Sequence, residues 1–434
     1  MKVAFATLGC RVNQYETEAM TEKFIREGYS VTDFDDFADV YVINTCTVTN
    51  MGDKKSRQII SKARRTNSDA IIAVVGCYSQ IAPEEVSKIE GVDVVLGTRN
   101  KGDIVYFVNK ARDEKAIQVS VNEVLRNKEF EELNIEEYQD KTRAFLKIQD
   151  GCNRFCTFCL IPYARGATCS KNPEKVIEEV KKLAEHGFKE VILSGIHTAS
   201  YGVDLGSDVT LISLLEDIEK IDGIDRVRIG SIEPAFFTDE VINKIKNMKK
   251  LCPHFHLSLQ SGSNGTLKRM NRRYTAEEYA KTVQTLRENI EDVSITTDLI
   301  VGFPGETEEE FNETYEYLKN LKLTKVHLFK YSPRKGTKAA EMPNQIDGTI
   351  KDKRSKILSE LNKENEIEFI KKLVGRDMGV LIERECPHKA GMFEGYTKNY
   401  VKAEISDANE KMIGKIMNCN IEDYEDNYIV GKIK

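Results

Sequence analysis

The sequence predicts an α/β chain in three parts: an N-terminal parallel-sheet α/β domain, a central partial (βα)6 barrel and a C-terminal small β-barrel. Three observations carry that prediction. β-branched runs alternate with amphipathic helical segments over most of the chain, the pattern of parallel strands covered by crossover helices. Polar residues recur at the C-terminal ends of the later strands, where barrels of this kind gather their ligands. The last 60 residues or so turn to short strands with no strong helix, which suits a small closed barrel.

A length of 434 residues gives room for about three domains and needs no disulfide staple. Charged residues at 31% and hydrophobic ones at 40% exclude a disordered chain. The longest apolar runs, such as AIIAVVG at 70–76, are too short to span a bilayer, so no membrane partner is expected. The N-terminus MKVAFATLGC has no long apolar core and no small-residue cleavage site, which predicts a cytoplasmic protein. Thiols stay reduced there, so the ten cysteines read as metal or catalytic ligands before disulfides. A balance of 64 basic against 70 acidic residues excludes a uniformly basic nucleic-acid coat and leaves local basic patches open.

The N-terminal domain, 1–120, repeats strand, cysteine turn and helix three times. Strands at 3–8, 40–44 and 71–75 are followed by Cys10, Cys46 and Cys77. Ligands of such sheets bind beyond the carboxyl ends of the strands, so three cysteines distant in sequence are expected on one sheet edge. Residues 121–142 read as a linker; the stretch 121–143 holds seven acids and four bases with little apolar periodicity. The barrel domain, 143–370, predicts strands at 144–149, 190–194, 226–232, 254–260, 294–301 and 325–331. Two of its helices open with capping boxes, Thr275 with Glu278 and Thr307 with Glu310. Ser194, Gly195, Glu233, Gln260, Asp298 and Tyr331 stand at strand ends. A loop at 333–350 and a charged helix at about 351–373 lead into the last domain, 371–434. Strands are expected there at 378–382, 395–405, 413–421 and 428–434.

The strongest chemical signal is Cys152-Asn-Arg-Phe-Cys156-Thr-Phe-Cys159. Three thiolates at this spacing can hold three irons of a [4Fe–4S] cluster and leave the fourth open. A structural zinc site is the alternative, with Cys169 as the fourth ligand. His254 and His256 share one strand face without a ligand partner beside them and read as barrel-interior packing. Cys252, Cys386 and Cys419 stand alone and read as buried small hydrophobes or inert surface thiols. The segment 53–65 carries six bases against one acid, and Lys54, Lys55, Arg57, Arg64 and Arg65 are candidate RNA phosphate contacts beside the Cys46 loop. Lys268, Arg269, Arg272 and Arg273 form a second such cluster. The C-terminal segment 371–434 has eleven bases and eleven acids, so RNA binding there would rest on stacking by Phe393, Tyr396 and Tyr400.

The Cys152 loop, with Phe158 before its last cysteine, resembles the radical S-adenosylmethionine (SAM) superfamily. TLGCRVNQYETE (7–18), NTCTVT (44–49), GCYSQ (76–80), GCNRFCTFCLIPYARG (151–166), LSGIHTASYG (193–202), SLQSGSN (258–264), LKRMNRRYT (267–275) and DLIVGFPGETEEEF (298–311) together resemble its methylthiotransferases. GYTKNYVKAEI (395–405) is similar to the RNA-binding TRAM module. The resemblance implies that Cys152, Cys156 and Cys159 hold the SAM cluster and that Cys10, Cys46 and Cys77 hold a second [4Fe–4S] cluster. It implies SAM contacts among Phe158, Ser194, Gly195, Glu233, Gln260 and Asp298, and no side-chain catalyst, the radical chemistry being cluster-based. One SAM would give a methyl group to sulfur, and a second would yield the radical that takes hydrogen from adenine C2. The NQYETE box resembles the branch acting on N6-threonylcarbamoyladenosine at tRNA position 37, 3′ of the anticodon. Sister branches act on isopentenyladenosine in tRNA or on an aspartate of a ribosomal protein. A flavodoxin- or ferredoxin-like electron donor and a sulfur donor are the further partners implied. Cys169 stands where the family usually has arginine. The reading from another class is a non-catalytic RNA-binding protein with a structural metal.

Overall fold

The structure, a computed structural model, describes residues 1–47, 50–133, 135, 142–206 and 208–434. Val48 and Thr49 of the NTCTVT motif, and most of 134–141, lie outside the described residues.

The N-terminal domain is a six-stranded, wholly parallel sheet: β1 (Lys2–Thr7), β2 (Ser30–Thr32), β3 (Val40–Thr45), β4 (Ile71–Gly76), β5 (Val94–Leu96) and β6 (Gln118–Ser120), in the order β2-β1-β3-β4-β5-β6. The three predicted strands are its centre. The other three are only three residues long, too short to leave a periodic signal. Alternate side chains of β3 and β4 enter two cores, Val40, Val42, Ala73 and Val75 on one face and Tyr41, Ile43, Ile72 and Val74 on the other. Helices α1 (Arg11–Arg26), α2 (Asn50–Thr66) and α3 (Cys77–Ile81) each follow one of the cysteine turns.

The segment read as a linker is a packed strap where it is described. Val124, Leu133 and Ile135 are buried, and Glu131 accepts from the Gly102 N–H at 2.9 Å. Its acidity hid three apolar anchors that only tertiary contacts reveal.

The central domain opens with β7 (Arg143–Lys147), then the ribbon β8 (Gln149–Asp150) and β9 (Cys169–Ser170), and continues with β10 (Glu190–Ser194), β11 (Arg226–Ile229), β12 (His254–His256), β13 (Ser294–Val301) and β14 (Lys325–Lys330). The pairings β11-β10-β7 and β12-β13-β14 are joined by the bridges Val227–Leu251 and Ile232–Leu257, giving six parallel strands in barrel order. Among the described residues β7 and β14 are not paired with each other, so the barrel is open along one seam. Strands 226–232 and 254–260 end earlier than their apolar pattern suggests, β11 stopping at Gly230, where an added Cβ would lie 3.1 Å from the Leu193 carbonyl oxygen. Both capping boxes form. Leu146, Val191, Leu193, Val227, Ile229, Phe255 and Ile295 join the core under the outer helices. The alternate residues Phe145, Arg228, His256, Asp298 and His327 therefore line the lumen.

After the helix Gly348–Lys371 come β15 (Asp377–Glu385), β16 (Phe393–Thr397), β17 (Lys402–Ser406), β18 (Ile416–Glu425) and β19 (Tyr428–Ile433), closed as β15-β16-β17-β19-β18. The span 395–405 is two strands rather than one. Its break is the turn at Lys398–Tyr400, where Tyr400 adopts a left-handed φ of 67°.

Candidate functional site

The loop bearing Cys152, Cys156 and Cys159 leaves β8 through Gly151, whose φ is +70°. A side chain there would stand 2.0 Å from the Ala167 carbonyl oxygen, so glycine alone lets the loop lie against 166–167. The Cys152 N–H donates to Gly166 (3.0 Å) and the Thr157 N–H to Met270 (3.1 Å), fixing both ends. Donors face the sulfurs: the Ile161 N–H at 3.4 Å from Cys159 Sγ and Arg272 Nη1 at 3.2 Å from Cys156 Sγ. Burial pushes the Cys152 thiol up to about 11 and the Cys159 thiol up to about 12, so positive partners matter to any thiolate form. Hydrogen-bond donors at the sulfurs are the outer shell that iron–sulfur thiolates require, and the donor set fits that cluster. Among the described residues no three Cys, His or carboxylate side chains converge on a single-ion position.

Arg272 joins this loop to Glu233. Its Nη2 lies 3.3 Å from Glu233, which also meets Arg154 at 2.7 Å and His197 at 3.1 Å. Burial would raise the Glu233 carboxyl, but the His197 hydrogen bond and the two guanidiniums bring it down to about 2. Gln260 and Asp298 share a cavity of ≈ 210 Å³ with Phe158, Ile300 and Tyr331. The Phe158 ring stands edge-on to Phe303 with centroids 6.2 Å apart. Ser194 and Gly195 end β10 beside Gln149, whose Oε1 accepts from the His197 N–H at 2.7 Å while its amide donates to Asp150 and Gly151. Gln149 thus holds the start of the cysteine loop to the 195 turn, a link that no local pattern announces.

At the N-terminal sheet edge, Cys10 caps α1, Cys46 follows β3 and Cys77 opens α3. Gly9 (φ +101°) lies against Cys46: an added Cβ would be 2.6 Å from Cys46 Cβ and 2.8 Å from its Sγ. Asn13 ties two of these turns together, its amide donating to Leu8 O (2.7 Å) and Thr45 O (3.0 Å). Replacing Gly9 by alanine is expected to displace Cys46 and leave the Cys152 loop in place. On the two-cluster reading proposed below, iron and sulfide per chain, assayed after anaerobic reconstitution, should fall from about eight to about four.

The two cysteine sets are yoked by a fully buried charge cluster. Arg165, just beyond Cys159, donates to Asn13 Oδ1 at 2.6 Å and to Glu16 at 2.7 Å, and pairs with Asp150 at 3.1 Å. Lys147 reaches Glu16 (2.9 Å) and Asp150 (2.6 Å), and Lys101 also meets Glu16. The NQYETE box is therefore largely internal: Asn13 and Glu16 are buried, and Tyr15 bonds Leu133 O and Glu179. Cys169 is buried beside this cluster, taking a hydrogen bond from Arg99 Nη1 at 2.9 Å, while Arg99 Nη2 donates to Arg165 O at 2.7 Å.

Lys54, Lys55 and Arg65 are exposed on α2 and line one groove with Arg57, as Lys268 and Arg273 are exposed near the barrel mouth. Several other residues read as RNA contacts are engaged within the fold. Arg272 is buried between Cys156 and Glu233, and Arg269 forms a two-pronged pair with Glu310, at 3.0 and 2.5 Å. Arg64 binds Gly91 O and Asp93, and Arg57 meets Tyr78 and Glu85. Phe393 is 5% exposed inside the C-terminal barrel. Tyr396 and Tyr400 lie under the Arg143 guanidinium (4.6 and 5.6 Å), and Tyr400 bonds Glu190 at the base of β10. They dock the last domain under the central barrel and offer no open stacking platform. His254 and His256 face the lumen, hydrogen-bonded to Arg228 and Thr296.

Comparison with known proteins follows this geometry. The Radical SAM superfamily model matches residues 146–318, and the uncharacterized protein family UPF0004 matches 2–97. The chain is 44% identical to the threonylcarbamoyladenosine tRNA methylthiotransferase MtaB of Bacillus subtilis, over 96% of this chain and 93% of that one. The protein of that name in Aquifex aeolicus is also 44% identical, over 96% and 99%. A tRNA-2-methylthio-N(6)-dimethylallyladenosine synthase of Thermoanaerobacter pseudethanolicus is 37% identical, over 96% and 89%. Among solved structures, the radical SAM methyltransferase TsrM of Kitasatospora setae, with cobalamin and a [4Fe–4S] cluster bound, shares the fold at TM-score 0.57 and 15% identity, over 78% and 77%. On these relatives, and on a barrel whose first strand delivers a three-cysteine loop, the chain belongs to the radical SAM tRNA methylthiotransferases, enzymes that use SAM and a [4Fe–4S] cluster.

Proposed function

We propose that the enzyme converts N6-threonylcarbamoyladenosine at tRNA position 37 to its 2-methylthio derivative, in the cytoplasm, with two SAM and two [4Fe–4S] clusters. The observation that carries this reading is the yoke: Arg165 beside one cysteine loop bonds Asn13, which holds the turns of Cys10 and Cys46. Two cysteine sets held at a fixed separation suit a reaction that needs radical formation and sulfur delivery at one substrate atom. Relatives at 44% identity named for threonylcarbamoyladenosine support the substrate.

Cys152, Cys156 and Cys159 would hold the SAM cluster, and Cys10, Cys46 and Cys77 the second. When bound, these groups supply the deoxyadenosyl radical, the methyl group and the sulfur. The chain's own residues do the rest. Arg272 and the Ile161 N–H stabilise thiolate charge at Cys156 and Cys159. Phe158, Gln260 and Asp298 line a cavity suited to the ribose and adenine of SAM, while Ser194 and Gly195 present a close backbone edge. Glu233, already engaged by Arg154, Arg272 and His197, orients all three. Lys54, Lys55, Arg65, Lys268 and Arg273 would meet tRNA phosphates, positioning without reading sequence. An electron donor and a sulfur donor complete the partners.

A structural zinc would need Cys169, whose thiol instead takes the Arg99 hydrogen bond. The test is a reconstituted reaction on anticodon stem-loops carrying either threonylcarbamoyl- or isopentenyladenosine. Methylthiolation of the first alone is expected; product from the isopentenyl RNA alone would assign the sister reaction.

A further inference from the structure

Two arginines converge in the barrel lumen. Arg11, the residue after Cys10, reaches from α1 to the lumen wall, its Cζ 4.7 Å from the centre of the Phe145 ring on β7. Arg228 points inward from β11, its Cζ 4.1 Å from the centre of the Tyr400 ring, which belongs to the C-terminal barrel and closes the lumen floor. Phe145 and Arg228 stand at one level, since both pair in register with Ile192 of β10.

The charges are unbalanced. Arg143, the third guanidinium of this region, is neutralised by Glu383 at 2.5 Å. Among the described residues neither Arg11 nor Arg228 has a carboxylate within 4.0 Å; Arg11 donates to Gln14 (2.9 Å) and Arg228 Nε to His254 Nδ1 (3.2 Å). Arg143 and Arg228 both lie close enough to Arg11 to repel its charge. Burial and the nearby Arg228 keep His254 neutral, so it accepts from Nε and fixes the plane of that guanidinium. Two cations held near each other against aromatic rings, neither paired with a carboxylate among the described residues, are a receptor waiting for an anion.

We propose that Arg11 and Arg228 bind the carboxylate of the threonylcarbamoyl group, so that they set the enzyme's choice of an anionic over an apolar N6 substituent. This rests on the substrate reading above. The chemistry matches: threonine joined through its nitrogen leaves a free carboxylate, which a pair of guanidiniums grips by charge-assisted hydrogen bonds. An isopentenyl group in the same lumen would leave Arg11 and Arg228 without an anion and gain nothing from either guanidinium. The position also suits the reaction, because Arg11 is bonded in sequence to Cys10, so the acid and the sulfur source are held by adjacent residues.

The test measures binding of two anticodon stem-loops to the reconstituted enzyme: one with the threonylcarbamoyl acid, the other with its neutral primary amide. Wild type should favour the acid about 10- to 100-fold. Arg228→Gln and Arg11→Gln should each bring that ratio toward one, and Arg228→Lys should restore part of it. Each protein supplies its own amide reference, so a general folding defect weakens both RNAs and leaves the ratio readable. Glutamine variants that keep the wild-type ratio would overturn the assignment while leaving the substrate reading intact. A wild type that methylthiolates only the isopentenyl stem-loop would overturn the substrate reading itself.

Discussion

Replacing Glu16 by alanine is expected to cost about 3–5 kcal/mol of stability, the penalty for stranding buried cations by removing their partner. Glu16 faces Lys101, Lys147 and Arg165 with every one of these side chains fully buried, and Asp150 is the other anion paired within the cluster. Urea unfolding followed by circular dichroism reads the loss, and a change within ±0.5 kcal/mol would show the cluster to be inessential. The effect has a pH signature. Burial would raise the Glu16 carboxyl, but Arg165, Lys101 and Lys147 hold it well below its ordinary value of 4.5. Asp150 is likewise lowered below 3.8, with burial opposed by Arg165 and Lys147. A depressed native pKa means that the unfolded chain binds more protons at low pH. The stabilisation is therefore complete above pH 4.5 and lost as pH falls through the native values. The gap between wild type and E16Q should hold constant from pH 7 to pH 5 and narrow only as pH falls below about 4.5.

The second large effect separates the two cysteine sets. Cys152→Ala, Cys156→Ala or Cys159→Ala should abolish reductive SAM cleavage, and with it all product. Cys10→Ala, Cys46→Ala or Cys77→Ala should keep SAM cleavage, with deoxyadenosine formed, while methylthiolated product disappears. The geometry supports such a division, since the Cys152 loop is held by Gly166 O and Met270 O, which the N-terminal turns do not supply. Deoxyadenosine and methylthiolated RNA are both read by mass spectrometry from one reaction. Full methylthiolation by Cys46→Ala or Cys77→Ala would contradict a second cluster at the N-terminal sheet edge.

Much of this was legible in the sequence because the signals are local. Continuous apolar runs define β1, β3 and β4, and each is followed within three residues by a cysteine, so sheet topology alone brings Cys10, Cys46 and Cys77 to one edge. The capping boxes at Thr275 and Thr307 likewise lie within one helical turn. What the sequence concealed is long-range. Arg165 and Asn13 are 152 residues apart, and nothing in either neighbourhood marks them as partners. The basic cluster at 268–273 looks uniform on paper, yet Arg272 turns inward to Cys156 and Glu233 while Arg273 stays exposed. Tyr396 and Tyr400 look like RNA-stacking rings until domain docking places Arg143 and Arg228 against them. Arg11 was invisible as a lumen residue because only the packing of α1 beside β7 carries it there.

The central claim is the reaction and its substrate, and nucleoside mass spectrometry of total tRNA tests it most directly. A strain lacking this activity, with and without this gene restored, supplies the comparison. The account predicts that the gene restores 2-methylthio-N6-threonylcarbamoyladenosine and depletes its unmethylthiolated parent, with isopentenyladenosine unchanged. Restoration of the methylthio form of isopentenyladenosine instead, or no change in any tRNA nucleoside, would contradict it.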